Sequence, residues 1–143
     1  MTGTDADYLV LPSDSSRITG HYYLTNRMLD YSKVTPTPNV TILTEFKTLN
    51  TAVSSSYEAK SGGIFDNAQN IIPLRHLLQN IFCNPQPKEV SPIITNNLTS
   101  FGIFTHFTKP LNSKTWDIQY HFLGDRIQII QQIQLIWKGS KFN

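Results

Sequence analysis

Two stretches of alternation near the start of the chain limit its fold more than any other feature. From Arg17 onward, Ile18, Gly20, Tyr22 and Leu24 fall on one side and Arg17, Thr19, His21 and Tyr23 on the other. A period of two belongs to a β-strand. A second run, Val40 to Leu49, puts Val40, Ile42, Thr44 and Phe46 on one face. Residues Thr25 to Asn39 carry Pro36 and Pro38 without a period and read as the loop between two antiparallel strands. Ahead of them, the apolar run Tyr8 to Leu11 is closed by Pro12 and Ser13-Asp-Ser-Ser16.

The spacing then turns helical. Ser55 offers an N-cap and Glu58 stands three residues on, the pattern of a capping box. The helix that follows is expected to bury Ala59, Ile64, Phe65 and Ala68. Gly62 and Gly63 weaken it by roughly 1 kcal/mol each relative to alanine, which suggests close packing against a sheet. Pro73 is expected to break or restart the helix, with Leu74, Leu77, Leu78 and Ile81 continuing to Phe82. Cys83 to Pro92 reads as a connector, Val90 to Thr95 as a short central strand in a parallel pair, and Asn96 to Phe107 as a turn into a short helix. Thr108 to Asn112 reads as a loop. A long helix is expected from Ser113 to Gln131, with Trp116, Tyr120, Leu123, Ile127 and Ile130 on one stripe, and a last strand from Ile133 to Trp137. Hairpin strands followed by alternating helix and strand predict a mixed sheet covered by helices, within one α/β domain.

Composition narrows the class. The chain has 143 residues, long enough for one domain with one core. With 39% hydrophobic and 11% aromatic residues it is no disordered chain, although only 15% are charged. The net charge of +2 comes from scattered Lys and Arg, so an anionic partner is permitted but not implied. No apolar run is long enough to span a bilayer, and Met1-Thr-Gly-Thr-Asp5 does not open as a secretory signal. The single Cys83 has no intramolecular partner, and with no signal it points to an intracellular location, in cytoplasm or nucleus. Asn39-Val-Thr41 and Asn97-Leu-Thr99 then count as chance glycosylation triplets.

A series of words stands in a specific order. Asp5-Ala-Asp-Tyr8 is followed by Ser16-Arg-Ile-Thr-Gly-His-Tyr-Tyr-Leu24, then Leu43-Thr-Glu-Phe-Lys-Thr-Leu49 and Val53-Ser-Ser-Ser-Tyr-Glu-Ala-Lys60. After these come Asn67-Ala-Gln69, Ile72-Pro-Leu-Arg75, Thr95-Asn-Asn97 and Lys114-Thr-Trp-Asp-Ile-Gln-Tyr-His-Phe122. From Thr4 to Asn143 the chain resembles the ribonuclease H domain that ends the polyproteins of copia-type LTR retrotransposons. The resemblance implies a ribonuclease H-like α/β fold over residues 1–143: a mixed five-stranded sheet, three strands antiparallel and then two parallel, flanked by helices. It implies hydrolysis of RNA in RNA/DNA hybrids by two Mg²⁺ ions held by four carboxylates. Such ions take oxygen ligands, activate water and stabilise the leaving oxygen.

Carried over residue by residue, the resemblance gives an impaired site. Asp5 stands at the first carboxylate position. The second belongs to the later Glu of a Ser-Ser-x-Glu-Ala-Glu word, which reads Ser55-Ser-Tyr-Glu-Ala-Lys60 here, so Lys60 replaces it. The third belongs to the Asp of a Thr-Asp-Asn word, and Asn96 replaces it. The fourth lies in a final helix beyond Asn143. Against the family the chain is thus expected to be partial, with a shortened first strand and no closing helix. Asp5, a weak metal ligand at best and helped only by nearby Asp7, cannot neutralise two dications, and Lys60 repels them. Glu58 lies about 200° around the helix from Lys60 and is expected to serve in the capping box. The expectation is a degenerate domain with hydrolysis lost or severely impaired and no bound cofactor. Its alternatives are an inert module that binds nucleic acid or protein, a nuclease using Asp7 and Glu58, and a translated relic with no selected role.

Other candidates are weaker. Asp117, His121 and Asp125 are spaced i, i+4, i+8, as for a metal site or proton relay, but also as for an ordinary helix surface. His21, His76 and His106 have no spaced partners, and no phosphate-binding glycine loop or serine nucleophile elbow is present. Lys60, Lys109, Lys114, Arg126 and Lys138, with Trp116 and Tyr120, are the candidates for contact with an RNA/DNA hybrid.

Overall fold

The computed structural model describes residues 2–7, 16–25, 38–49, 55–82, 90–106 and 114–139, and the side chains of Asp5, Asp7, Thr25, Pro38 and 114–116 lie outside that description. Tyr8 to Leu11, Cys83 and Lys109 also fall outside the described residues. The elements in chain order are β1 (Thr2–Asp7), β2 (Arg17–Thr25), β3 (Pro38–Thr48), α1 (Ser56–Ile81), β4 (Ser91–Thr95), α2 (Leu98–His106), α3 (Lys114–Gly124) and β5 (Ile133–Trp137). The chain is a mixed α/β protein. Its five strands form one sheet in the order β3-β2-β1-β4-β5. β1 pairs antiparallel with β2 over all of Thr2–Asp7, and β2 pairs antiparallel with β3. β4 runs parallel to both β1 and β5.

The helices flank one face of this sheet. Ile64, Ala68 and Ile71 of α1, Phe104 of α2, and Tyr120 and Leu123 of α3 form a single buried cluster with Tyr22, Ile93, Ile133 and Leu135 of the strands. Each fully buried Ile or Leu here contributes about 1.5–3 kcal/mol. Ala6, Ile18 and Ala59 form a second cluster, with Leu49 against it. The paired glycines have the expected cause. A Cβ on Gly63 would stand 3.2 Å from Thr4 Oγ1, and one on Gly62 would stand 3.2 Å from the Leu49 side chain. Their absence lets α1 settle on β1.

Four sequence readings need correction. First, α1 runs unbroken through Pro73 for 26 residues. Ile71 is buried and Ile72 and Leu74 pack on the core around it, so tertiary contacts outweigh the lost helical hydrogen bond. Second, the long helix does not hold α geometry to Gln131. It passes at Asp125 into a π-helical turn, Asp125–Ile129, which rotates the stripe and leaves Ile130 exposed.

Third, Val40, Ile42, Thr44 and Phe46 do not share one face of β3. Phe46 stands opposite Thr19 and Thr44 opposite His21, on the side of the sheet away from the helices, and Phe46 is 65% exposed. Toward α1 point Glu45 and Lys47 instead, where Lys47 Nζ meets Asp66 Oδ2 at 2.7 Å and Asn70 Nδ2 donates to Glu45 Oε2 at 2.7 Å. A bulge between Tyr22 and Tyr23 leaves Ile42 without a cross-strand partner and swaps the faces, so Val40 lies opposite Leu24 rather than beside Phe46. Fourth, of the two readings that overlap at Pro92, connector and strand, the strand holds: Pro92 is a buried β4 residue. Among the described residues no helix is long and apolar enough to cross a membrane.

Candidate functional site

Lys60 owes its place to the start of α1. The Ser55 side chain accepts from the Glu58 N–H at 3.2 Å, so the expected N-cap is formed. Ala59 is fully buried against Ala6 and Ile18. That fixes the helix rotation and turns the half-buried Lys60 toward the end of β4.

The end of β4 is shaped by two side-chain caps. Thr95 Oγ1 accepts from the Asn97 N–H at 3.2 Å, and Asn97 Oδ1 accepts from the Ser100 N–H at 3.0 Å. Asn97 is therefore the N-cap of α2. Asn96, the residue between them, is left to reach α1. Lys60 Nζ donates to Asn96 Oδ1 at 3.2 Å. One residue along α1, the buried hydroxyls of Ser61 and Ser100 share a hydrogen bond of 2.8 Å. Two side-chain bonds thus tie the first turns of α1 to the β4–α2 turn.

The backbone of Asp5 belongs to the same place. Thr4 is paired with Thr95 in the parallel ladder between β1 and β4, so Asp5 and Asn96 are the residues that follow this last pair. The Lys138 N–H donates to the Thr95 carbonyl at 3.0 Å, which brings the end of β5 to the same level. Three positions that the family resemblance singles out, Asp5, Lys60 and Asn96, therefore converge.

Beneath them lies a polar network that sequence reasoning missed. Asn67, 1% exposed, donates to the Gly63 carbonyl at 2.8 Å and to Thr4 Oγ1 at 3.0 Å. Thr2 Oγ1 donates to the His21 carbonyl at 2.9 Å and stands 3.2 Å from Asn67 Oδ1. A methyl group on Gly20 would collide with Asn67 Oδ1, which is why β2 carries glycine there. The available signal was the spacing Ile64, Asn67, Ala68, Ile71, which sets an amide on the apolar face of α1.

The chemistry open to this site follows from its charges. An ammonium and a neutral amide face each other at positions where the family resemblance implies carboxylates. Near a protein surface, like unit charges 4 Å apart repel by about 4 kcal/mol, and a dication doubles that. Magnesium also requires octahedral oxygen coordination, to which Asn96 offers one amide oxygen already engaged by Lys60. The residues present do not fit a pair of magnesium ions. Among the described residues, no three His, Cys, Asp or Glu side chains come together.

The remaining candidates are dispersed. Asp117, His121 and Asp125 are all exposed and do not converge with a further ligand. The His121 ring meets Tyr120 edge-on, with centroids 5.6 Å apart. Arg126 is turned inward: its guanidinium lies 5.3 Å from the Phe122 ring centroid and donates to Gln132 Oε1 at 2.8 Å. His21 packs edge-on against Phe46, and His106 ends α2. The side chains of Lys114 and Trp116 lie outside the described residues.

No protein-family model matches the chain, and a search of curated proteins finds no match to it.

Proposed function

We propose that this chain is a ribonuclease H-like domain derived from the polyprotein of a copia-type retrotransposon, and that it no longer hydrolyses RNA/DNA hybrids. The observation that carries the reading is the Lys60–Asn96 hydrogen bond beside the Asp5 backbone. Those are the positions at which the family resemblance expects metal-binding carboxylates. The strand order β3-β2-β1-β4-β5, with three antiparallel strands and then two parallel, supports the same fold assignment. With an ammonium bonded to an amide at its centre, the site has no means of holding two dications against the charge of a phosphodiester. Its place of work is inside the cell.

The test is a cleavage assay on a labelled RNA/DNA hybrid with Mg²⁺ and with Mn²⁺. No turnover above background is expected. Turnover that disappears on Asp5→Asn would overturn the reading and restore the nuclease.

One observation favours retained binding of nucleic acid as the second reading. The end of β5 is bonded to Thr95, so a second lysine, Lys138, enters the neighbourhood of Lys60. Phosphate contacts by these lysines predict that affinity for a hybrid falls with rising salt. Affinity independent of salt would exclude it.

A further inference from the structure

β3 is one edge of the sheet and β5 the other. Among the described residues no strand lies beside β3 on the side away from β2. Leu43, Thr44, Phe46, Lys47 and Thr48 are all exposed, and Phe46 keeps 65% of its surface in the open. Outward-facing N–H and carbonyl groups on such an edge are a template for a further strand. The edge lies two strands from β1, and its chemistry does not depend on the function proposed for the Lys60 site.

Proteins guard an exposed edge with a proline, a bulge or an inward-pointing charge. β3 carries all three, but two of them lie in its first half. Pro38 opens the strand, and the bulge falls at Ile42. From Leu43 to Thr48 the strand pairs regularly with Tyr22 to Arg17. The charge that remains is Lys47, and it does not stand alone. Glu45 lies two residues away on the same face, and both side chains stay partly exposed. A lone lysine would repel its own copy. A glutamate and a lysine two residues apart are instead self-complementary when a second copy runs antiparallel.

We propose that β3 pairs antiparallel with β3 of a second copy of this chain, about a two-fold axis at Phe46, and joins two sheets into one. Backbone groups on an edge strand point outward at alternate residues, so odd-numbered residues face odd and even face even. A centre at Glu45 sets two carboxylates opposite each other, and a centre at Lys47 sets two ammoniums opposite each other. A centre at Leu43 or Thr44 runs the pairing through the bulge, and one at Thr48 runs it off the strand. A centre at Phe46 sets Glu45 against the partner's Lys47, and Lys47 against the partner's Glu45. Phe46 then lies beside the partner's Phe46 on the open face, where His21 already meets it edge-on with ring centroids 5.9 Å apart. Such an isologous contact closes at two copies.

The test is sedimentation of the full chain from about 10 to about 500 µM, a range suited to a contact smaller than a standard interface. A monomer–dimer equilibrium that stops at the dimer is expected. Phe46→Ser, at an exposed position, should weaken the dimer roughly tenfold or more. Lys47→Glu and Glu45→Lys should do the same, because each sets like charges opposite each other. An equimolar mixture of the two charge variants should dimerise again, since two glutamates of one then meet two lysines of the other. Circular dichroism checks that each variant is folded, and if a charge variant is not, Phe46→Ser decides. No association up to about 500 µM would overturn the proposal. So would a dimer that all three substitutions leave unchanged, folded charge variants that stay monomeric when mixed, or growth beyond the dimer, as pairing of β3 with β5 would give.

Discussion

Lys60 and Asn96, on two elements 36 residues apart in the chain, meet through a hydrogen bond of 3.2 Å from ammonium to amide oxygen. The pair lies at the end of the central strands β1 and β4, which run parallel, and both residues differ in charge from what the ribonuclease H resemblance expects there. Exchanging both partners reverses the electrostatics without altering the packing below. Lys60→Glu with Asn96→Asp should raise affinity for Mn²⁺ at least tenfold over the unaltered chain, read by calorimetry. Each single change should give less: Asn96→Asp leaves its carboxylate neutralised by the Lys60 ammonium, and Lys60→Glu supplies one carboxylate beside a neutral amide. A double variant with unchanged Mn²⁺ affinity would show that these positions do not form the ancestral metal site.

The network under that pair depends on a missing methyl group. Gly20 faces Asn67 so closely that a Cβ would strike its amide oxygen, and it would also stand 3.0 Å from the Tyr22 ring. Asn67 cannot retreat without giving up the Gly63 carbonyl and Thr4. Gly20→Ala should therefore destabilise the fold by about 2–3 kcal/mol, in the range of overpacked cores, despite the higher strand propensity of alanine. Urea unfolding of the two proteins measures it, and an unchanged midpoint would mean that Asn67 is not held as described.

How much of this was legible in the sequence depended on whether neighbours along the chain or distant ones set the pattern. β2 and β5 were readable to within a residue because one face of each is apolar and buried, and the N-cap Ser55 announced α1. The orientation of β3 was not readable. Its core-side partners are Asp66 and Asn70, which make Glu45 and Lys47 welcome on that face, and a bulge at Ile42 inverts the alternation halfway along. The end of the last helix was lost to the π-turn, which starts directly after Gly124 and shifts the register by one residue. For the site, the resemblance supplied Asp5, Lys60 and Asn96, but that a lysine replacing one carboxylate would bond to the asparagine replacing another is a tertiary fact. Asn97 and Asn67 stand in words that carry the resemblance, but a cap of α2 and a buried amide are set by tertiary neighbours that those words do not show.

Pro73 tests how far tertiary contacts override local preference. It sits inside α1 with its ring exposed, and it cannot donate the hydrogen bond that a helical residue makes to the carbonyl four residues back. The buried residues around it hold the helix together at that cost. Pro73→Ala should raise stability by roughly 1–3 kcal/mol, somewhat less than the full helix penalty because alanine also frees the unfolded chain. An unfolding midpoint that fails to rise would indicate a local distortion already relieved by neighbouring groups.

Two phenols tie stability to alkaline pH. Burial pushes the Tyr22 hydroxyl well above its ordinary value of 10.0, and the carboxylates of Glu45 and Asp66 act in the same direction. Burial likewise raises Tyr57, with a smaller push from Glu58. The unfolded chain releases both protons near pH 10, whereas the folded chain retains them. Below that pH neither state is ionised and the pair adds no pH dependence. Above it the unfolded state binds fewer protons, so stability falls as pH rises. Urea midpoints between about pH 8 and pH 11 should decline for the unaltered chain. They should decline less steeply for Tyr22→Phe, and least for Tyr22→Phe with Tyr57→Phe. Tyr22 is 1% exposed, so the larger share of the change is expected from its replacement. Equal slopes for all three proteins would mean that neither phenol is buried when folded.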